Sequence, residues 1–163
     1  MAMLAKSLCA YDDFYAHLRL VLERLVARHE KVVVFDLHSY NHIRGGAGGG
    51  PADPKGNPEI NLGTGTMDRG AWSSVVESWL DAMRSCNCAG RPFDVRENVK
   101  FVGGQFPRWV HENFPNTVCA LAVEVKKFFM NEWTGELDRE KHHAIGEALT
   151  GAAAAVGETL EKF

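Results

Sequence analysis

Two ionisable residues stand where catalytic groups stand in α/β enzymes. One is His38, which closes the run Val32-Val33-Val34-Phe35-Asp36-Leu37-His38. The other is Glu124, near the end of Thr117-Val118-Cys119-Ala120-Leu121-Ala122-Val123-Glu124-Val125. Continuous apolar runs of this length read as strands buried on both faces. In such sheets, ligands and reacting groups collect at the carboxyl ends of the strands. A His at that place suits a metal ligand or an acid/base group. Asp36, two residues earlier, can orient its ring. A carboxylate ending an apolar strand is costly unless a charge or a metal faces it. In a dry pocket its pKa rises, which suits a general base. The structural alternatives are a hydrogen-bonded core His38 and a Glu124 salt bridge to Lys126, Lys127 or an Arg.

Arg44 and Arg69 flank a Gly/Pro-rich stretch. An Arg in such a loop can grip a carboxylate with both nitrogens or stabilise an oxyanion. Otherwise it is a solvated surface charge. His42 would share a face with His38 only on a helix, and the surrounding residues do not read as one. Cys86-x-Cys88 alone is a weak metal or redox signal, and free thiols are the simpler reading of the four cysteines. His17, His29 and His111 read as surface residues.

The elements that must hold these groups follow from periodicity. Leu4, Leu8, Tyr11, Tyr15, Leu18, Leu22 and Leu25 mark a helical stripe, with a break expected near Asp12-Asp13. A strand follows over 32–37. Residues 39–67 hold Gly45-Gly46, Gly48-Gly49-Gly50-Pro51, Asp53-Pro54 and Asn57-Pro58. They predict a long loop with no central strand, and 41–67 is the expected active-site loop. Asp68 is expected to cap a helix whose apolar face is Trp72, Val75, Val76, Trp79, Leu80 and Met83. A short strand over 99–102, a helix over 107–114 and a long C-terminal helix from Asp138 complete the pattern. It predicts a single α/β domain.

The chain has 163 residues, 45% of them hydrophobic and 24% charged, enough for one core. A net charge of −3 gives no support for nucleic-acid binding. No apolar stretch reaches membrane-spanning length and no leader pattern is evident, so the expected location is the cytoplasm.

Several motifs then coincide in order: Val34-Phe35-Asp36-Leu37-His38-Ser39-Tyr40, Asn57-Pro58-Glu59-Ile60-Asn61-Leu62-Gly63, Gly103-Gly104, and Ala122-Val123-Glu124-Val125-Lys126-Lys127-Phe128-Phe129-Met130-Asn131-Glu132. The ensemble resembles the N-formylglutamate amidohydrolase family, related to aspartoacylase and the zinc carboxypeptidases, over residues 30–137. The resemblance implies a three-layer α/β/α fold with a mixed, mainly parallel sheet. It implies zinc-dependent hydrolysis of a small N-acyl amino acid. By the same resemblance, His38 matches the last zinc ligand and Glu124 the residue that activates the attacking water. Arg44, Arg69 and Asn61 become candidates for substrate binding. The family takes two further ligands from an earlier His-x-x-Glu/Asp segment, and no such spacing precedes His38. The chain therefore resembles the C-terminal part of a larger hydrolase domain, lacking N-terminal strands, with an incomplete zinc set and a tendency to self-associate. The alternative is a catalytically incomplete module that oligomerises or binds small carboxylates.

Overall fold

Strands that are apolar on both faces need a helical layer on each side. The computed structural model describes residues 2–43, 45–46 and 48–163. In chain order the elements are α1 (Ala2–Val26), β1 (Val32–Tyr40), β2 (Ile60–Gly63), α2 (Ser73–Ser85), β3 (Asn87–Cys88), β4 (Arg91–Pro92), β5 (Val95–Glu97), α3 (Gln105–Asn113), β6 (Val118–Lys126) and α4 (Arg139–Leu160). The main sheet has the order β1-β6-β2-β5. β1 is parallel to β6 and β2 to β5, while β2 and β6 are antiparallel. β3 and β4 form a small hairpin.

Alternation along β6 assigns the layers. Cys119, Leu121, Val123 and Val125 pack with α2 and α4, while Val118 and Ala120 pack with α1 and α3. The expected face of α2 is buried throughout, with Val75, Val76, Trp79 and Met83 at 0% exposure. The result is the three-layer α/β/α arrangement with a mixed, mainly parallel sheet.

Four local expectations need correction. First, α1 runs unbroken through Asp12-Asp13. Both residues are exposed, so neither competes for the backbone inside the helix. Second, the expected loop 39–67 contains β2, a central strand with all four residues buried. Its Ile60 and Leu62 are apolar, and its one polar residue, Asn61, is satisfied by hydrogen bonds, so nothing forbids burial. Third, α2 begins only at Ser73, because Asp68 Oδ1 accepts from Gly70 N and Ala71 N and holds a tight turn instead of a helix start. Fourth, the strand expected at 99–102 lies upstream at Val95–Glu97. Asn98, at φ +54°, ends it, and the next two amides turn inward to Asn61.

His111 also departs from its expected surface position. β2 pairs with β6 only from Ala122 onward, which leaves the Ala120 N–H beyond the ladder. His111 Nε2 accepts that N–H at 3.0 Å, and its Nδ1 lies 3.1 Å from Thr66 Oγ1. An Nε2 that accepts cannot carry a proton, so the ring is neutral with the proton on Nδ1. Burial, the larger influence, lowers its pKa against the bond to Thr66. As pH falls below about 6.5, the unfolded chain takes up a proton that the folded His111 resists. Stability therefore falls on acidification through that range. Thermal melts from pH 7.5 to 5 should show a steeper loss of melting temperature for the wild type than for His111→Gln.

Candidate active site

β1 continues through Leu37, His38 and Ser39 to Tyr40. A two-residue repeat puts Asp36 and His38 on one face. In register with β6, Asp36 lies beside Ala122 and His38 beside Glu124. Up to this point that face of the sheet is covered by α1 and α3. Here the cover ends, and a cleft of about 440 Å3 opens over Asp36, His38, Ala122 and Glu124, with residues 100–107 as its wall. Ala122 leaves room between the polar groups.

Asp36 Oδ1 lies 2.7 Å from His38 Nε2. The Asp36 side chain is 17% exposed and that of His38 54%. A carboxylate accepts only, so His38 Nε2 donates to Asp36. Glu124 has no ion-pair partner among the described residues. Burial raises its pKa, the neighbouring His38 lowers it in part, and the Asp36 charge raises it again. The salt bridge to Lys126 or Lys127 does not form. Lys126 Nζ instead donates to Asn57 O.

Asn61 stands behind the wall of the cleft. Its side chain is fully buried. Oδ1 accepts from Val99 N at 3.1 Å and Lys100 N at 2.8 Å, and Nδ2 donates to Phe101 O at 2.8 Å. The amide is consumed by the loop that it holds, so Asn61 positions the wall and does not reach into the cleft. Gly63 serves the same purpose. A Cβ there would stand 2.6 Å from Gly103 N, so only glycine lets the wall cross β2 this closely. Gly103 itself sits at φ +106°.

The remaining candidates go elsewhere. Arg69 binds Glu97 (Nε to Oε1, 2.8 Å) and Glu77, away from the cleft. That ion pair fixes the loop before α2 against β5. Arg44 lies outside the described residues. No described residue of 41–67 lines the cleft. One end of that loop is fastened where Glu132 Oε1 accepts from His42 N at 2.7 Å and Ile43 N at 2.8 Å.

Sequence reasoning missed Lys100, the only Lys or Arg among the described residues lining the cleft. It also missed that α3 starts at the cleft, with Gly104, Gln105, Phe106 and Pro107 as lining. Gly104, the N-cap of α3, has no side chain to cap that helix start. The unpaired N–H groups of a helix start, together with a lysine, favour an anion.

A catalytic zinc takes three protein ligands and keeps one position open. In this cleft one imidazole nitrogen is on offer, one carboxylate is spent on that ring, and one stands beside it. Among the described residues no group of three or more His, Cys, Asp and Glu is placed to hold a metal ion. The described residues therefore do not fit a catalytic zinc by themselves.

Comparison with known proteins agrees with the fold. The chain resembles gene product Atu2144 from Agrobacterium tumefaciens, whose crystal structure superposes with a TM-score of 0.51 at 17% identity. The match covers 86% of this chain and 48% of that one, so this chain spans about half the length of that protein. At this identity the likeness speaks for the fold alone. No protein of curated function matches. A family model described as N-formylglutamate amidohydrolase matches residues 3–130, a span that takes in β1, Asn61, the cleft wall and Glu124. By that match the chain belongs to the N-formylglutamate amidohydrolase family.

Proposed function

We propose that the cleft hydrolyses the amide of an N-acyl amino acid, of the N-formylglutamate type, to a carboxylate and a free amino acid. One observation carries this reading: Glu124 has no ion-pair partner among the described residues, is held above the usual carboxylate range by burial, and sits beside His38 at the strand ends. Such a group can take a proton from an attacking water and pass it to the departing nitrogen. The water oxygen bonds to the acyl carbon, the C–N bond breaks, and the amine leaves carrying the proton that Glu124 returns. Asp36 orients the His38 ring. Among the described residues, the zinc that the family resemblance implies would find only His38 and Glu124 not already committed, fewer than a catalytic zinc takes, and no step here is routed through it.

The carboxylate of the substrate is read by Lys100 and the start of α3. Lys100 Nζ donates to Asn57 Oδ1 at 2.6 Å and lies 5.1 Å from the centre of the Tyr40 ring, two contacts that restrain it at the rim of the cleft. Lys100→Met should raise KM for N-formyl-L-glutamate about tenfold or more, the worth of one charge-assisted hydrogen bond, with kcat changed far less. A fall in kcat at unchanged KM would remove Lys100 from substrate recognition.

The four cysteines are unpaired, which suits a reducing compartment, and we place the reaction in the cytoplasm. No helix among the described residues is long and apolar enough to cross a membrane. A second reading, a module that binds small carboxylates without turnover, is favoured by the single histidine among the described residues of the cleft. Binding of N-formylglutamate without formate release would select it.

A further inference from the structure

We propose that the row of residues next beyond His38 and Glu124 forms the subsite for a side-chain carboxylate of the substrate, and that Asn57 sets its preference by holding Lys100 without cancelling its charge. The two-residue repeat that puts Asp36 and His38 on one face puts Tyr40 there as well. In the same register Lys126 lies beside Tyr40, as Glu124 lies beside His38. The step between the two rows is two strand residues, about 7 Å. The centre of the Tyr40 ring lies 5.5 Å from that of Phe101, and Phe101 and Lys100 both line the cleft. The outer row therefore meets the cleft wall at Lys100.

Neutral groups hold the cation of this row. Lys126 Nζ donates to Asn57 O at 2.9 Å and ties that residue to the end of β6. The partners of the Asn57 amide assign its two ends. Nδ2 donates to Asp53 O at 2.8 Å, so Oδ1 is the atom that accepts from Lys100 Nζ. The Tyr40 hydroxyl is spent on Pro58 O, and its ring offers Lys100 a π face. Lys126 stands in a mixed field of Glu59, Asp94, Arg91 and Arg96. Lys100 forms no ion pair among the described residues. An ammonium has three donors and Asn57 takes one, which leaves a positioned charge for an anion.

The spacing selects a chain length. This subsite rests on the proposed hydrolysis, which puts the scissile nitrogen over Glu124. In a glutamate derivative the side-chain carboxyl carbon is four bonds from that nitrogen, roughly 5 Å when extended, and its oxygens reach about 1 Å further. With one hydrogen bond to Lys100, that length spans the step between the rows. An aspartate side chain is one bond short, and the α-carboxylate two. A glutamine side chain spans the step but brings no charge.

Asn57→Asp is the decisive change, because it keeps the shape and supplies a carboxylate that cancels the Lys100 charge. N-formyl-L-glutamate, N-formyl-L-aspartate and N-formyl-L-glutamine are titrated by calorimetry into the full-length Glu124→Gln chain, which reads binding without turnover. The same titrations follow after adding Asn57→Asp, Lys100→Met, or both. The glutamate derivative should bind about tenfold or more tighter than the other two, the worth of one charge-assisted hydrogen bond. Asn57→Asp should abolish its advantage over the glutamine derivative and leave binding of the latter unchanged. An Asn57 with a merely structural role would weaken all three alike. In the Lys100→Met chain, Asn57→Asp should cost nothing further, because it acts through that lysine. If Asn57→Asp does not fold, Asn57→Ala, which frees Lys100, carries the comparison, with a partial loss of the preference expected. Equal binding of the three ligands, a uniform loss in either Asn57 variant, or additive losses in the double variant would each overturn the subsite. Formate release by the wild type is scored separately. An Asn57-dependent preference without formate would count against the hydrolase reading and leave the subsite standing. Formate released from all three at equal kcat/KM would leave hydrolysis standing and remove the subsite.

Discussion

Glu124→Gln is expected to lower hydrolysis of N-formylglutamate by about 10²–10⁴-fold, the usual contribution of a positioned general base, while raising the melting temperature at neutral pH. The two effects have one cause. Burial favours the protonated form of Glu124 in the folded chain. Above its folded pKa the carboxylate is ionised in a place that solvates it poorly, and folding bears that cost. Glutamine keeps the shape and removes the charge. The gain in melting temperature should therefore be present at pH 7 and vanish towards pH 4, where the wild type is protonated in both states. Catalysis follows the opposite sign, because the base must be ionised. kcat/KM of the wild type should fall as pH drops through a midpoint above the ordinary glutamate value of 4.5. Parallel melts and initial rates of the two proteins check both halves. A variant that loses activity without gaining stability would mean that Glu124 is solvated and that its raised pKa is not the source of its reactivity.

Asn61→Leu should be the most damaging single change that leaves Asp36, His38 and Glu124 in place. It deprives Val99 N, Lys100 N and Phe101 O of their partner. A buried polar group left unpaired costs about 1–3 kcal/mol. Val99 and Phe101 are exposed, so water can recover part of that. A net loss of about 2–4 kcal/mol is expected, or roughly 5–15 °C for a chain of this size. Activity should fall further than the melt suggests, because the released loop carries Lys100 and leads into the start of α3. Substrate affinity should suffer first. Hydrogen exchange should show the amides of residues 99–101 losing protection while those of β6 keep theirs. An Asn61→Leu protein with normal KM and an ordered 98–104 loop would show that the wall is held by other means.

The sheet was legible where one residue type dominated a run. The valines of β1 and the apolar run Val118–Val123 of β6 identified two strands, though β1 is only partly buried between Val32 and Tyr40, and the 3.6-residue repeat of α2 identified its core face. β2 was hidden, because Asn61 and Gly63 look like loop residues until their partners are known. The Asn61 amide is satisfied by a segment some forty positions away, and Gly63 is there because Gly103 crosses it. Long-range pairing of that kind leaves no local period to read. The pair His38–Glu124 was legible for the reason that made the strands so: an ionisable residue is conspicuous in an apolar run. The cleft wall was not. Glycine and proline drew attention to 41–67, whereas the wall is formed by 100–107, which only the crossing at Gly63 and the clasp of Asn61 bring over the strand ends.

Whether the cleft over His38 and Glu124 cleaves an amide is decided most directly by proton NMR of N-formyl-L-glutamate incubated with the wild-type chain and zinc. Formate and glutamate should appear in equal amounts, and their rate should fall at least about a hundredfold in Glu124→Gln, in line with the loss of a general base. A folded, zinc-supplemented wild type that releases no formate, or a Glu124→Gln chain that releases it as fast, would contradict amide cleavage by Glu124 in this cleft.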